Sequence, residues 1–220
     1  MNETLEIIRS EFAQASFETF EMVFISMAAA AVIGTLLGLV LHLTSNPLFY
    51  RNRIINGIAG TIVNIIRSMP FIILIIVLIP VTRILVGTSI GALAASVSLS
   101  IASIAFFARL VENAFSEVDK GVIEAAVAAG AGTFLIIRKV LFVEAMPALV
   151  RALTVTFVSI IGYSAMAGAV GGGGIGNLAI MYGYNRYQTG VLLVTVVVLI
   201  IIVQLGQWIG DKIAMALTRK

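Results

Sequence analysis

Apolar residues in this chain fall in long uncharged runs rather than in alternation or short patches. Met22 to Tyr50, Ile84 to Ala108, Ala152 to Asn185 and Tyr187 to Gly210 contain no Lys, Arg, Asp or Glu. Crossing about 30 Å of hydrocarbon at about 1.5 Å per helical residue takes about 20 residues, so each run is long enough to span a membrane. Ile54 to Ile66 and Ser68 to Thr82 are each too short, and a single helix across both, with Arg67 inside it, makes a fifth span. The expected spans are residues 22–43, 57–79, 88–109, 152–170 and 189–210, with a long loop over 110–151 and a tail at 211–220. Residues 1–21 carry Leu5, Ile8 and Phe12 at helical spacing and read as a short interfacial helix. The pattern is that of an all-α polytopic membrane protein.

Composition agrees. Hydrophobic residues make up 60% and charged residues 11% of the 220, whereas a soluble domain carries about 25% charged residues. Glu3 and Glu6 stand where a secretory signal would place lysine or arginine, so the apolar segment after Glu21 is expected to remain as an anchor. With no cysteine and a single histidine, His42, the chain builds neither a disulfide framework nor a Cys/His metal site, and no metal ligand is assigned. His42 reads as a packing residue at a span end.

Five spans put the termini on opposite sides, and the cations choose the orientation. Arg51, Arg53, Arg109, Lys120, Arg138, Lys139, Arg151, Lys212, Arg219 and Lys220 share one side, against Arg9, Arg83 and Arg186 on the other. The larger set is cytoplasmic, so the N-terminus is expected outside and the C-terminal tail inside. The net charge of +3 and a pI near 9.4 follow from that bias, and no nucleic-acid partner is inferred from them. No internal repeat relates two halves of the chain, as it does in many single-chain transporters, so a pathway needs a second copy. The simplest closed arrangement is a two-fold homodimer with the route along its axis.

The loop from Arg109 to Arg151 is roughly 40 residues, too long for a bare connector. Asp119 and Glu124 precede an alanine-rich run, with Arg138 and Lys139 near its far end, the order the helix dipole favours. Two short helices broken near Gly130 to Gly132 are expected. Small alanines permit close approach of another chain, the glycine permits a sharp turn, and Glu124 supplies a charge. No Gly-x-x-x-x-Gly-Lys-Ser/Thr stretch is present, so ATP phosphates are not held here in the usual way. Gly171, Gly173 and Gly176 match Gly-x-Gly-x-x-Gly, but they follow a membrane span and no acid lies at ribose distance, so a dinucleotide site is rejected.

Two membrane features stand out. Arg67-Ser68-Met69-Pro70 puts a cation and a helix breaker inside the second span. A charge at membrane depth costs several kcal/mol unless it faces protein or water, so Arg67 either lines a pathway, snorkels to the cytoplasmic surface or pairs with Glu112. At the end of the fourth span, Tyr163-Ser164-Ala165-Met166-Ala167-Gly168 runs into Gly171, Gly172, Gly173 and Gly174. Small residues there form either a packing face with a flexible outer loop or an external gate. Met69 and Met166 either line an apolar path or simply pack.

Glu124-Ala125-Ala126 with Gly130 six residues after the glutamate resembles the EAA loop of ABC importer permeases. The resemblance implies the type I importer permease fold and a coupling helix seated in a separate nucleotide-binding subunit, with Glu124, Ala125, Ala126, Gly130 and Arg138 in that contact. ATP and magnesium would be bound by the partner ATPase, and no cofactor by this chain. The family's proline near the end of the motif is missing, because the position holds Val143. Pro147 comes four residues later, so the second loop helix is expected to run past Val143 and turn back about one turn later.

A longer resemblance, from about Ile62 to Asp211, is to the methionine-uptake branch of these permeases. It rests on Arg67-Ser68-Met69-Pro70-Phe71-Ile72-Ile73-Leu74, Val86-Gly87-Thr88-Ser89-Ile90-Gly91, Ala108-Arg109-Leu110-Val111-Glu112-Asn113-Ala114 and Gly162-Tyr163-Ser164-Ala165-Met166. It implies a bacterial inner-membrane importer of methionine, L- and D-, built from two permeases, two ABC ATPase subunits and a substrate-binding lipoprotein. An apolar gate with few acids suits a neutral thioether zwitterion, and other hydrophobic amino acids equally. A proton-coupled secondary transporter would need carboxylates within the spans, and none lies deeper than Glu21, Glu112 and Asp211. An intramembrane hydrolase lacks its usual equipment, since His42 stands alone. The expectation is a transport subunit and not an enzyme.

Overall fold

A computed structural model of the chain describes residues 2–218, and all regular elements among them are helices. Arg219 and Lys220, counted above with the cytoplasmic cations, lie outside the described residues. Four helical runs are long and apolar enough to cross a membrane: Thr4–Ser45, Ala92–Ser116, Thr133–Gly168 and Thr189–Thr218. A bent pair, Arg53–Ser68 with Phe71–Val77, raises the number of candidate spans to as many as five.

Helix α1 (Asn2–Ala29) passes through a π turn at Ala30–Gly34 directly into α2 (Thr35–Ser45). The expected separation of an interfacial segment from the first span is not found, because nothing near Glu21 breaks the helix. One buried stripe, Ala15, Thr19, Met22, Val23, Ser26 and Ala30, runs through the supposed boundary at helical spacing. Gly38 on α2 lets this long element approach its neighbour, since a β-carbon there would lie 2.5 Å from the Ala108 carbonyl oxygen.

The second span is not one helix. Helix α3 (Arg53–Ser68) is capped by Asn52, whose side chain accepts from the Ile54 and Ile55 N–H groups. It ends where Met69 turns extended ahead of Pro70, and α4 (Phe71–Val77) leaves at 111°. The cause is local: proline pushes the residue before it out of the helical region and cannot donate to the preceding turn. Pro70 instead starts the new helix, its carbonyl accepting from Ile73 and Leu74 N–H at 2.9 and 3.0 Å. A short α5 (Ile79–Val86) follows and ends at Gly87 in the left-handed region.

Helix α6 (Ala92–Ser116) is the hub, touching α1, α2, α3, α4, α5 and the third long run, Thr133–Gly168. Its buried residues are mostly Ala and Ser, which bring helix backbones close where lipid supplies no hydrophobic drive. It begins and ends later than the expected 88–109. Gly91, at φ +99, delays the start, and Arg109 pairs with Glu112 one turn on, so the charges do not end the helix.

The long loop after α6 holds α7 (Lys120–Ala128) and α8 (Thr133–Ile136), broken at Gly130 as expected. Through a π turn at Ile137–Leu141 the chain then enters α9 (Phe142–Gly168) without turning back. The helix passes Val143 as expected, but the turn near Pro147 does not occur. Ala145, Leu149 and Ala152 bury one face against α6 on both sides of the proline. Val143, whose carbonyl loses its partner, lies on the exposed side. After α9 come α10 (Gly174–Leu178), a π turn at Ala179–Tyr184 and α11 (Thr189–Thr218). Leu193, Val197, Ile201 and Leu205 on α11 are half exposed in the single chain, an apolar surface whose natural solvent is hydrocarbon.

Candidate functional site

The α7–α8 hairpin is folded by its own sequence and then fixed to the spans. Asp119 caps α7, its carboxylate accepting from Gly121 N–H at 2.6 Å. At the far end Gly130 takes φ +80, and Ala131 N–H bonds back to the Ala126 carbonyl at 3.0 Å, closing the helix in a Schellman arrangement. A β-carbon at Gly130 would meet nothing within 4 Å, so the glycine is there for its backbone angle and not for room. Ile123, Ile136 and Leu141 bury against Phe115 and Val118, each nearly completely enclosed isoleucine contributing about 1.5–3 kcal/mol. His42 packs beside them between Phe49 and Phe115, its Nδ1 3.3 Å from Ser116 Oγ, as a packing residue should.

What remains outside is a mixed surface. Glu124, Ala125, Gly130 and Arg138 are exposed, Ala126 is half-buried, and neither Glu124 nor Arg138 has an ion-pair partner among the described residues. Val127, Leu135 and Phe134 stand beside them, Phe134 being 74% exposed. Sequence reasoning missed Phe134. Helical phase gives it away, because burying Ile136 turns Phe134 and Leu135 outward.

Further along the molecule, Arg67, Met69 and Tyr163 come together around a cleft of about 150 Å³ where α3 breaks against α9. Tyr163 stacks on Phe71 with ring centres 4.8 Å apart. The pairing of Arg67 with Glu112 does not occur: Arg109 holds Glu112 and also donates to Asn64 Oδ1 at 2.8 Å. Arg67 remains exposed. Ser68 Oγ donates back to the Asn64 carbonyl at 2.7 Å and finishes α3, and Pro70 opens α4. Ser164 is buried, donating to the Ile161 carbonyl, while Met166 lies apart, half exposed on α9.

The glycine turn is packed, and the flexible outer loop is not what the fold shows. Gly172 and Gly174 are buried, Gly172 N–H bonds the Ala167 carbonyl at 2.9 Å, and the Gly171 carbonyl accepts from Gly91 N–H at 2.9 Å. A β-carbon on Gly168 would lie 2.3 Å from Asn177 N, so α9 and α10 touch backbone to backbone. Glu18 and Thr19 of α1, which carried no assignment from sequence, accept from the Gly174 and Ile175 N–H groups at 2.7 and 2.9 Å. Nothing local in the sequence announces that contact across 156 positions.

Residues 30–219 match the family of binding-protein-dependent transport system inner membrane components. The chain belongs to that family. It is a transport subunit rather than an enzyme, and its membrane-crossing helices place it among inner-membrane permeases. Among its relatives, the methionine import system permease protein MetP of Bacillus subtilis is 48% identical over 204 residues, covering 93% of this chain and 92% of that one. The D-methionine transport system permease protein MetI of Escherichia coli is 47% identical over 152 residues, 69% of this chain and 70% of its own. The permease also superposes on a chain of the MetNI methionine ABC transporter in an inward-facing conformation, with a TM-score of 0.89 and 45% identity over 94% of this chain and 95% of that chain. The fold is the all-helical type I importer permease fold.

Proposed function

We propose that this permease carries methionine, as the L- and D-forms, across the bacterial inner membrane within an ATP-driven importer. The observation that carries the reading is the 48% identity to a methionine import permease over nearly the whole chain, joined to a hairpin whose exposed Glu124 and Arg138 have no ion-pair partner among the described residues. Two copies form the pathway. An ABC ATPase, which binds ATP and magnesium, seats each hairpin through Glu124, Ala125, Ala126, Gly130 and Arg138, with Phe134 adding an aromatic anchor. A substrate-binding lipoprotein delivers methionine on the opposite side, where the N-terminus lies, and the tail at 211–220 faces the cytoplasm. Arg67, Met69 and Tyr163 line the route, Ser68 and Pro70 shape it by breaking the helix, Ser164 and Met166 flank it on α9, and the turn Gly171 to Gly174 is its outer gate.

The test uses the permease reconstituted with its ATPase and binding protein. Gly130→Trp should abolish substrate-driven ATP hydrolysis and methionine uptake while the complex of unaltered chains shows both. Full coupling in the tryptophan variant would overturn the docking assignment. Uptake that survives ATP depletion and stops with a protonophore would overturn the importer reading.

A further inference from the structure

Helix α10 has no cap of its own. Its N-cap residue is Gly173, without a side chain, so its leading N–H groups depend on another element. Glu18 Oε2 accepts from Gly174 N–H at 2.7 Å, Thr19 Oγ1 accepts from Ile175 N–H at 2.9 Å, and Gln14 Nε2 donates to Glu18 Oε1 at 2.9 Å, which orients the carboxylate. The fit leaves no space: a β-carbon on Gly173 would lie 2.4 Å from Glu18 Oε2, and Gly173 and Gly174 sit at φ +77 and +80.

Asp119 caps α7 from its own place in the chain, whereas the backbone angle and crowding at position 173 admit only glycine. A cap supplied from within, as in α7, moves with its helix and ties it to nothing. Drawn instead from α1, the cap makes displacement of α10 conditional on breaking a charge-assisted bond and a hydroxyl bond together, with two backbone N–H groups left unsatisfied. On the other flank the Gly171 carbonyl is held by Gly91 at the start of α6, so the turn is fastened on both sides. Helix α1 lies before the residues that match the family, 30–219.

We propose that Glu18 and Thr19 form a clamp that holds the outer gate shut in this conformation and releases when the gate opens, which makes them positioning residues of the transport cycle. The proposal rests on the reading of the glycine turn as the outer gate.

The complete complex in vesicles tests it. Glu18→Ala should raise ATP hydrolysis in the absence of binding protein by about tenfold to a hundredfold, the range expected when a hydrogen bond to a charged group is lost from one of two states. The stimulation ratio on adding loaded binding protein should fall correspondingly. Glu18→Gln, which keeps an oxygen acceptor, should restore most of the difference, and Glu6→Ala, exposed on the same helix, should change neither rate. A merely structural cap would leave the basal rate unmoved.

A second arm does not depend on the alanine variant folding. The chain has no cysteine, and a β-carbon at position 174 would lie 2.7 Å from Thr19 Oγ1, within disulfide reach for Thr19→Cys with Gly174→Cys. Oxidation should stop uptake and reductant should restore it. A cross-linked complex that transports at full rate, or a Glu18→Ala complex with the unaltered basal rate and stimulation, would overturn the clamp. Absence of ATP-driven uptake by the unaltered complex would overturn the transport reading instead, a separate result.

Discussion

The α7–α8 hairpin and the glycine turn between α9 and α10 both redirect the chain through glycine in the left-handed region, yet they are built in opposite ways. At the hairpin, Gly130 stands in open space and the segment is held by apolar side chains, Ile123 and Ile136, that reach back to the spans. At the turn between α9 and α10, Gly172, Gly173 and Gly174 are crowded and the segment is held by hydrogen bonds from α1 and α6. Under the proposed function the difference separates two kinds of moving part. A surface meant for another molecule needs a firm root and a free face. A joint within one chain needs close backbones and bonds that form or break together.

The comparison is broken hardest at the close approach of α9 and α10. Gly168→Val would drive a side chain into the Asn177 amide and the Gly176 carbonyl carbon, neither of which can rotate away. The expected cost is about 3 kcal/mol, read as a lowered midpoint in a thermal unfolding series of the detergent-solubilised permease. An unchanged midpoint would mean that α10 is free to shift.

The next effect belongs to the hairpin. Phe134→Ala removes a ring that is 74% exposed in the single chain, so the permease alone should keep its stability. Assembly with the ATPase should weaken by about 2 kcal/mol if the ring is an interface anchor, measured as the ATPase concentration needed for half-maximal complex formation. Stability lost without any change in assembly would reverse the roles given to the two sides of this helix.

Much of the molecule was legible in the order of its residues, and the failures have physical reasons. Long uncharged runs announce spans because hydrocarbon leaves a helix few alternatives. The glutamate, alanines and glycine of the hairpin were legible because caps and turns are local chemistry. The second span was misread because apolar content was weighed over Pro70, whose effect on Met69 is steric and independent of the solvent. At Pro147 the error ran the other way, since buried neighbours on α9 outweighed one missing hydrogen bond. Arg109 taking Glu112 from Arg67 was within reach of helical spacing, whereas Glu18 meeting Gly174 was not, because only the tertiary fold brings α1 to α10.

The smallest effect is also the most discriminating, for it separates two glycines of one loop. Gly130 at φ +80 and Gly132 at φ −71 both have nothing within 4 Å of a would-be β-carbon, so space cannot distinguish them. Backbone angle can. Gly130→Ala should cost about 1–2 kcal/mol because an L-residue must enter the left-handed region. Gly132→Ala should fall near zero: the entropy lost from the unfolded chain favours alanine by about 0.4–1 kcal/mol, and the poorer N-cap of α8 takes back a similar amount. Equal losses at both positions, in the same unfolding series, would mean that the hairpin is pressed against something at Gly132 and that its open face is smaller than the fold suggests.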